Sequence, residues 1–154
     1  MARMIPNTFQ ASTPPGEKSL FNKLSKAPGT ESWYCLHSLD IARHENLPQS
    51  EADFIIIAPG LGILVIELKG IRSIRYKDGK WFLGAKPPET RGPFKQASSA
   101  MWSLVERLKE ERPDLRNVPH FSAAVFPFVS FSHTSVEWEP WQVIDTKVLF
   151  SKPI

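Results

Sequence analysis

Two acidic residues, Asp53 and Glu67, bound the two most apolar segments of the chain, and Lys69 follows the second acid at a spacing of two. Phe54-Ile55-Ile56-Ile57 and Ile63-Leu64-Val65-Ile66 are rich in β-branched residues and are joined by Ala58-Pro59-Gly60-Leu61-Gly62. Such a pair predicts a hairpin turning at Gly60. In that register Asp53 faces Glu67 and Glu51 faces Lys69. Side chains alternate with period two, so Asp53, Glu67 and Lys69 share one face. Carboxylates this close beside apolar strands repel each other and lose hydration, so either one takes a proton or a cation neutralises them. A hard divalent cation, Mg²⁺ or Mn²⁺, accepts carboxylate and carbonyl oxygens together with waters and suits phosphate chemistry. Lys69 would point at the same ion, to hold or deprotonate an attacking water or to stabilise charge on a phosphate. A simpler reading competes with this one: Glu51 and Lys69 form an ordinary cross-strand salt bridge.

The elements that must position these groups follow from the hydrophobic pattern. Near-continuous apolar strands are buried on both faces, so the hairpin belongs at the centre of a sheet covered by helices. Glu17 to Lys26 repeats Leu20, Phe21 and Leu24 at helical spacing, with Glu17 in the first turn and Pro28-Gly29 as the stop. Pro93 to about Arg112 carries Phe94, Ala97, Met101, Leu104, Val105 and Leu108 on one stripe, with Pro93 suited to the first helical position. Trp33 to Leu39, Ile71 to Tyr76, Lys80 to Phe82, Ser122 to Phe128 and Gln142 to Ile144 read as strands, with Asp78-Gly79 as a hairpin turn. Residues 1–13 read as an extended lead-in and 14–154 as one domain. This order predicts a layered α/β fold.

Composition narrows the function classes. The 154 residues are 42% hydrophobic and 23% charged, which is globular usage. The one cysteine, Cys35, excludes an intrachain disulfide framework and a multi-cysteine zinc site. His37, His44, His120 and His133 lack paired metal-ligand spacing, and Gly60-Leu61-Gly62 lacks the lysine of a phosphate loop. The uncharged run from Phe54 to Ile66 is interrupted by Pro59-Gly60 and is shorter than a bilayer span, and the N-terminus has no signal-peptide core. A cytoplasmic protein without membrane contact is therefore expected. Net charge is only +3, yet residues 69–95 hold eight basic side chains against Asp78 and Glu89. Arg72, Arg75, Lys77, Arg91 and Lys95 in that stretch are candidate phosphate contacts directly downstream of the acidic pair. Trp138 and Trp141 offer base stacking or ordinary packing.

Glu51-Ala52-Asp53-Phe54, Gly62 to Gly70 and Gly92-Pro93-Phe94-Lys95-Gln96-Ala97, in this order, resemble the NERD (nuclease-related) domain. That family is a branch of the PD-(D/E)xK nucleases with a restriction-endonuclease-like fold, a mixed central sheet flanked by helices. The resemblance covers about Pro15 to Ile144 and implies roles residue by residue. Asp53 and Glu67 match the metal-binding acids, with the Leu68 carbonyl as a further ligand. Lys69 completes the E-x-K pair. Glu17 matches an acid on the first helix, and Gln96 a glutamine that faces the site. Ser50 and Ala52 depart from the family's Gly-Glu-(Ile/Val)-Asp pattern without removing a ligand. The implied activity is Mg²⁺-dependent hydrolysis of DNA, with RNA left open and a homo-oligomer compatible. The lead-in looks most like NERD domains at the front of helicase-like proteins. The chain is therefore expected to continue into such a motor, as its last residues also suggest by offering no closing helix. Glu17 as a helix-dipole charge and Gln96 as a helix cap are the simpler alternatives. At the level of the whole domain, they are a silent nucleic-acid-binding module or a protein-interaction domain.

Overall fold

A computed structural model describes residues 1–37 and 52–151. Its centre is the expected hairpin. Strand β3 (Phe54–Ala58) pairs antiparallel with β4 (Gly62–Leu68), in register from Phe54 opposite Ile66 to Ala58 opposite Gly62. Among the described residues, six strands form one mixed sheet. The others are β1 (Arg3–Ile5), β2 (Tyr34–His37), β7 (His120–Phe126) and β8 (Val143–Asp145), in the order β1-β2-β3-β4-β7-β8. β7 runs parallel to β4, and β8 parallel to β7.

Both faces of the hairpin are covered, which is why its strands carry few polar residues. Helix α1 (Pro15–Lys26) lays Leu20, Phe21 and Leu24 against Cys35, Phe54, Ile56, Ile66 and Val125. Helix α2 (Gly92–Glu111) lays Ala100, Met101 and Val105 against Ile55 and Val65 on the opposite face. Full burial of each large apolar side chain contributes about 1.5–3 kcal/mol, so the two layers hold the hairpin from above and below. The layered α/β architecture read from the sequence is the one observed.

Several details differ from expectation. The lead-in supplies β1, an edge strand parallel to β2. The strand expected over Trp33 to Leu39 is β2, and Ser38 and Leu39 lie outside the described residues. The basic hairpin, β5 (Ile74–Lys77) and β6 (Lys80–Leu83), forms a separate two-stranded sheet rather than extending the central one. It docks through aromatic packing: Trp81, 1% exposed, has its ring 5.7 Å from Phe94, 5.6 Å from Phe131 and 5.1 Å from Trp138. A closing helix does exist, α3 (Thr146–Ser151). Asp145 starts it, because one carboxylate oxygen accepts the Val148 amide at 3.0 Å while the other accepts the Phe131 amide at 3.0 Å.

Gly92 shows how closely the hairpin is seated. Its φ is +70°, and a Cβ there would overlap the Trp81 indole. Gly79, at the tip of the β5–β6 turn, also has positive φ (+73°), but nothing lies within 4 Å of where its Cβ would be. Gly92→Ala should therefore destabilise the protein by at least about 2 kcal/mol, combining backbone strain with overpacking. Gly79→Ala should cost about 1 kcal/mol. Urea unfolding midpoints of the two variants check this, and equal losses would contradict the seating of α2 on Trp81.

Candidate functional site

The exit end of β4 gathers the candidate residues. The ladder with β7 continues past the strand, since the Lys69 amide donates to the Val125 carbonyl at 2.9 Å. That bond fixes the backbone of Lys69 and with it the direction of its side chain. Glu67 and Lys69 project to the same side, and Lys69 Nζ lies 3.0 Å from Glu67 Oε1, with the two side chains only 17% and 12% exposed for Lys69 and Glu67. Across the hairpin the regular pairing stops at Phe54. Asp53 donates its amide to the Ile66 carbonyl at 3.2 Å, and its Oδ2 accepts the Leu68 amide at 2.6 Å. A side-chain carboxylate thus satisfies an amide at the end of β4, and Asp53 is locked beside Glu67.

Burial sets the electrostatics. The Glu67 carboxyl is pushed up to about 7, first by burial and then by the charge of Asp53; Lys69 and Arg91 oppose the shift without cancelling it. Glu17 is also raised, again by burial first and by Asp53 second. It lies on the same helical face as Leu20, Phe21 and Leu24, so it faces the sheet rather than solvent. Gly16 permits this approach. A Cβ at that position would sit 2.8 Å from Leu68 Cδ2 and 3.2 Å from Gly70 Cα, so the first turn of α1 lies directly on the exit of β4.

Among the described residues no group of three or more His, Cys, Asp or Glu side chains is spaced to hold a metal ion. The donor set at the site is instead two carboxylates, Asp53 and Glu67, beside the backbone of Leu68. Two adjoining acids, one of them kept from ionising easily, fit a hard cation that keeps several of its own waters. Glu17 is an electrostatic neighbour of Asp53.

The remaining predicted residues fall into three groups. Gln96 is half-buried on α2, yet the groups acting on the Glu67 carboxyl are Asp53, Lys69 and Arg91, and Gln96 is not among them. Arg72, Arg75, Lys77 and Lys95 are exposed, with Arg72 5.1 Å over the Phe128 ring and Arg75 4.5 Å over Phe82. Arg91, read from sequence only as a phosphate contact, stands at the start of α2 and within electrostatic reach of Glu67. Its place immediately before Gly92-Pro93, a helix start, was the available signal. Glu51, and with it the competing salt bridge to Lys69, lies outside the described residues. His44 does so too, whereas His37 is buried between the Phe21 and Phe54 rings. Cys35 is fully buried and its thiol is raised to about 11, which suits a core residue and not a nucleophile. No helix among the described residues is long and apolar enough to cross a membrane.

The raised Glu67 carboxyl has a consequence for stability. A carboxyl that holds its proton more tightly folded than unfolded stabilises the fold fully below its unfolded value, here 4.5. That contribution disappears as the pH rises through about 7. With chelator present, unfolding free energy should fall between these limits by on the order of 3 kcal/mol, and Glu67→Gln should remove most of the fall. Urea titrations across that range test it; an unchanged slope in the variant would contradict the assignment.

No curated protein and no solved structure gives a significant match to the chain. The family model for the nuclease-related domain, NERD, matches residues 14–131, which takes in α1, the β3–β4 hairpin, the basic hairpin, α2 and β7. With most of its length matched, including every residue of the site just described, the chain belongs to the NERD family.

Proposed function

We propose that this NERD domain is a metal-dependent nuclease that hydrolyses phosphodiester bonds of DNA on a restriction-endonuclease-like core of PD-(D/E)xK type. One observation carries the reading: Asp53, Glu67 and Lys69 converge at the exit of the central strands, with the Glu67 carboxyl held near neutrality by burial and by Asp53. Asp53 and Glu67 would hold Mg²⁺ or Mn²⁺, with the Leu68 carbonyl as a third protein ligand. The ion, when bound, supplies a polarised phosphate and a water of lowered pKa. The Lys69 ammonium, anchored through its backbone to β7, stands where negative charge develops on the phosphate as water attacks and the ester bond breaks. Glu17 adds negative charge behind Asp53 and strengthens the pull on a cation. Arg91 and Lys95 flank the start of α2, and Arg72, Arg75 and Lys77 would contact phosphates farther along the strand. Gln96 would orient the phosphate or water from α2. A covalently linked helicase-like motor belongs to the same proposal, because so small a domain has few contacts of its own with which to choose a target.

Glu67→Gln and Asp53→Asn should each reduce Mg²⁺-dependent cleavage of labelled DNA to background while far-UV circular dichroism stays unchanged. Asparagine keeps an oxygen for the Leu68 amide, so Asp53→Asn removes charge rather than the strand contact. Normal cleavage by either purified variant overturns the metal site. Lys69→Ala should lose on the order of a hundredfold or more in turnover. Its DNA affinity in chelator should fall only severalfold, since one phosphate contact is a small share of a multi-contact interaction. Single-turnover rates and fluorescence anisotropy separate these two effects.

A further inference from the structure

The loop after β7 builds a small aromatic cleft that the proposed chemistry does not use. Phe131, His133, Ser135, Trp138 and Val143 line a space of about 140 Å³, together with the exposed Ser132 and Thr134. An apolar cavity of about 150 Å³ takes one benzene ring, so this space matches a single planar ring system. The walls are held in place. Asp145 binds the Phe131 amide at 3.0 Å, the Trp138 indole donates to the His133 carbonyl at 3.3 Å, and the Glu137 amide donates to the Ser135 hydroxyl at 3.1 Å. Phe131 and Trp138 are buried, whereas His133 is exposed, its ring 6.0 Å from Trp138 and 6.3 Å from Phe131.

Position gives the cleft its meaning. Glu67 pairs with Ala124, and Ala124 pairs with Val143, so Glu67 and the cleft wall share one row and one face of the sheet. Adjacent strands lie about 4.8 Å apart, which puts the two Cα atoms about 10 Å from each other. Tyr76 of β5 joins the cleft to the basic hairpin, its ring lying 5.4 Å from His133 and 5.3 Å from Trp138. Arg75 and Lys77, on either side of Tyr76, project to the opposite, exposed face of that two-stranded sheet. An aromatic slot of one-ring size, edged by polar residues, therefore lies in the same sheet row as Glu67.

We infer that this cleft takes an unpaired nucleobase neighbouring the phosphate at Glu67, and so selects single-stranded DNA. The inference deepens the nuclease reading and rests on it for the identity of the strand. A base in a duplex is stacked and paired and cannot enter a slot of this size without being extruded.

The test is binding in chelator, so that cleavage plays no part. Fluorescence anisotropy compares a labelled oligothymidylate with an abasic strand of the same length and charge. The intact chain should bind the thymidylate strand about five- to a hundredfold more tightly, the range of one stacked base. Ser132→Trp, which fills the cleft from its rim, and His133→Ala, which removes an exposed wall, should each erase most of that gap. Both should leave the abasic affinity and its salt dependence unchanged. No gap in the intact chain, or a gap retained in both variants, overturns the cleft as a base site. A gap lost in the variants while Mg²⁺-dependent cleavage is absent from the intact chain sinks the nuclease reading and supports the cleft. Cleavage without any gap sinks the cleft alone.

Discussion

The bond from the Leu68 amide to the Asp53 carboxylate joins the two central strands where their regular ladder ends. It holds Asp53 beside Glu67 in a setting with little water, and the repulsion between them is relieved by keeping Glu67 partly protonated. Neither acid is free to swing away, since Asp53 is tied to the Leu68 amide and Glu67 to the Lys69 ammonium. The tension between packing and charge is what makes Glu67 hold its proton more tightly.

The surrounding elements sharpen that tension. Gly16 lets α1 lie on Leu68 and Gly70, which brings a third acid, Glu17, toward Asp53. Lys69 and Arg91 act in the opposite sense on Glu67, one through direct contact and the other from the start of α2. Lys69 has its backbone tied to β7, so its ammonium is positioned by the sheet and not merely by attraction to Glu67.

The aromatic cluster is the second organising feature. Trp81, Phe94, Phe126, Phe131 and Trp138 pack where the basic hairpin, the start of α2 and the end of β7 meet. Separate sheets give the hairpin no ladder to the core, so this packing sets its position. The cationic side chains of β5 thereby acquire a defined place relative to Glu67. The same cluster shapes the cleft beneath His133.

The central hairpin, its register and the shared face of Glu67 and Lys69 were all legible in the sequence, because β-strand periodicity and a short turn are local properties. The two long helices were legible for the same reason, as their apolar stripes repeat within a few residues. The family resemblance was legible too, since its motifs are short and ordered. Other features were not. Arg3–Ile5 of the lead-in became a sheet edge only because β2 offered an open side, and α3 needed Asp145, which also binds a loop fourteen residues earlier. The nearness of Arg91 to Glu67, the seating of Gly92 on Trp81 and the row linking Glu67 to Val143 join residues far apart in the chain. Sequence alone therefore determined which groups could do chemistry and which strands would carry them. Tertiary structure decided how deeply those groups are buried and what stands beside them, because burial and charge neighbours arise only when separate elements pack against one another.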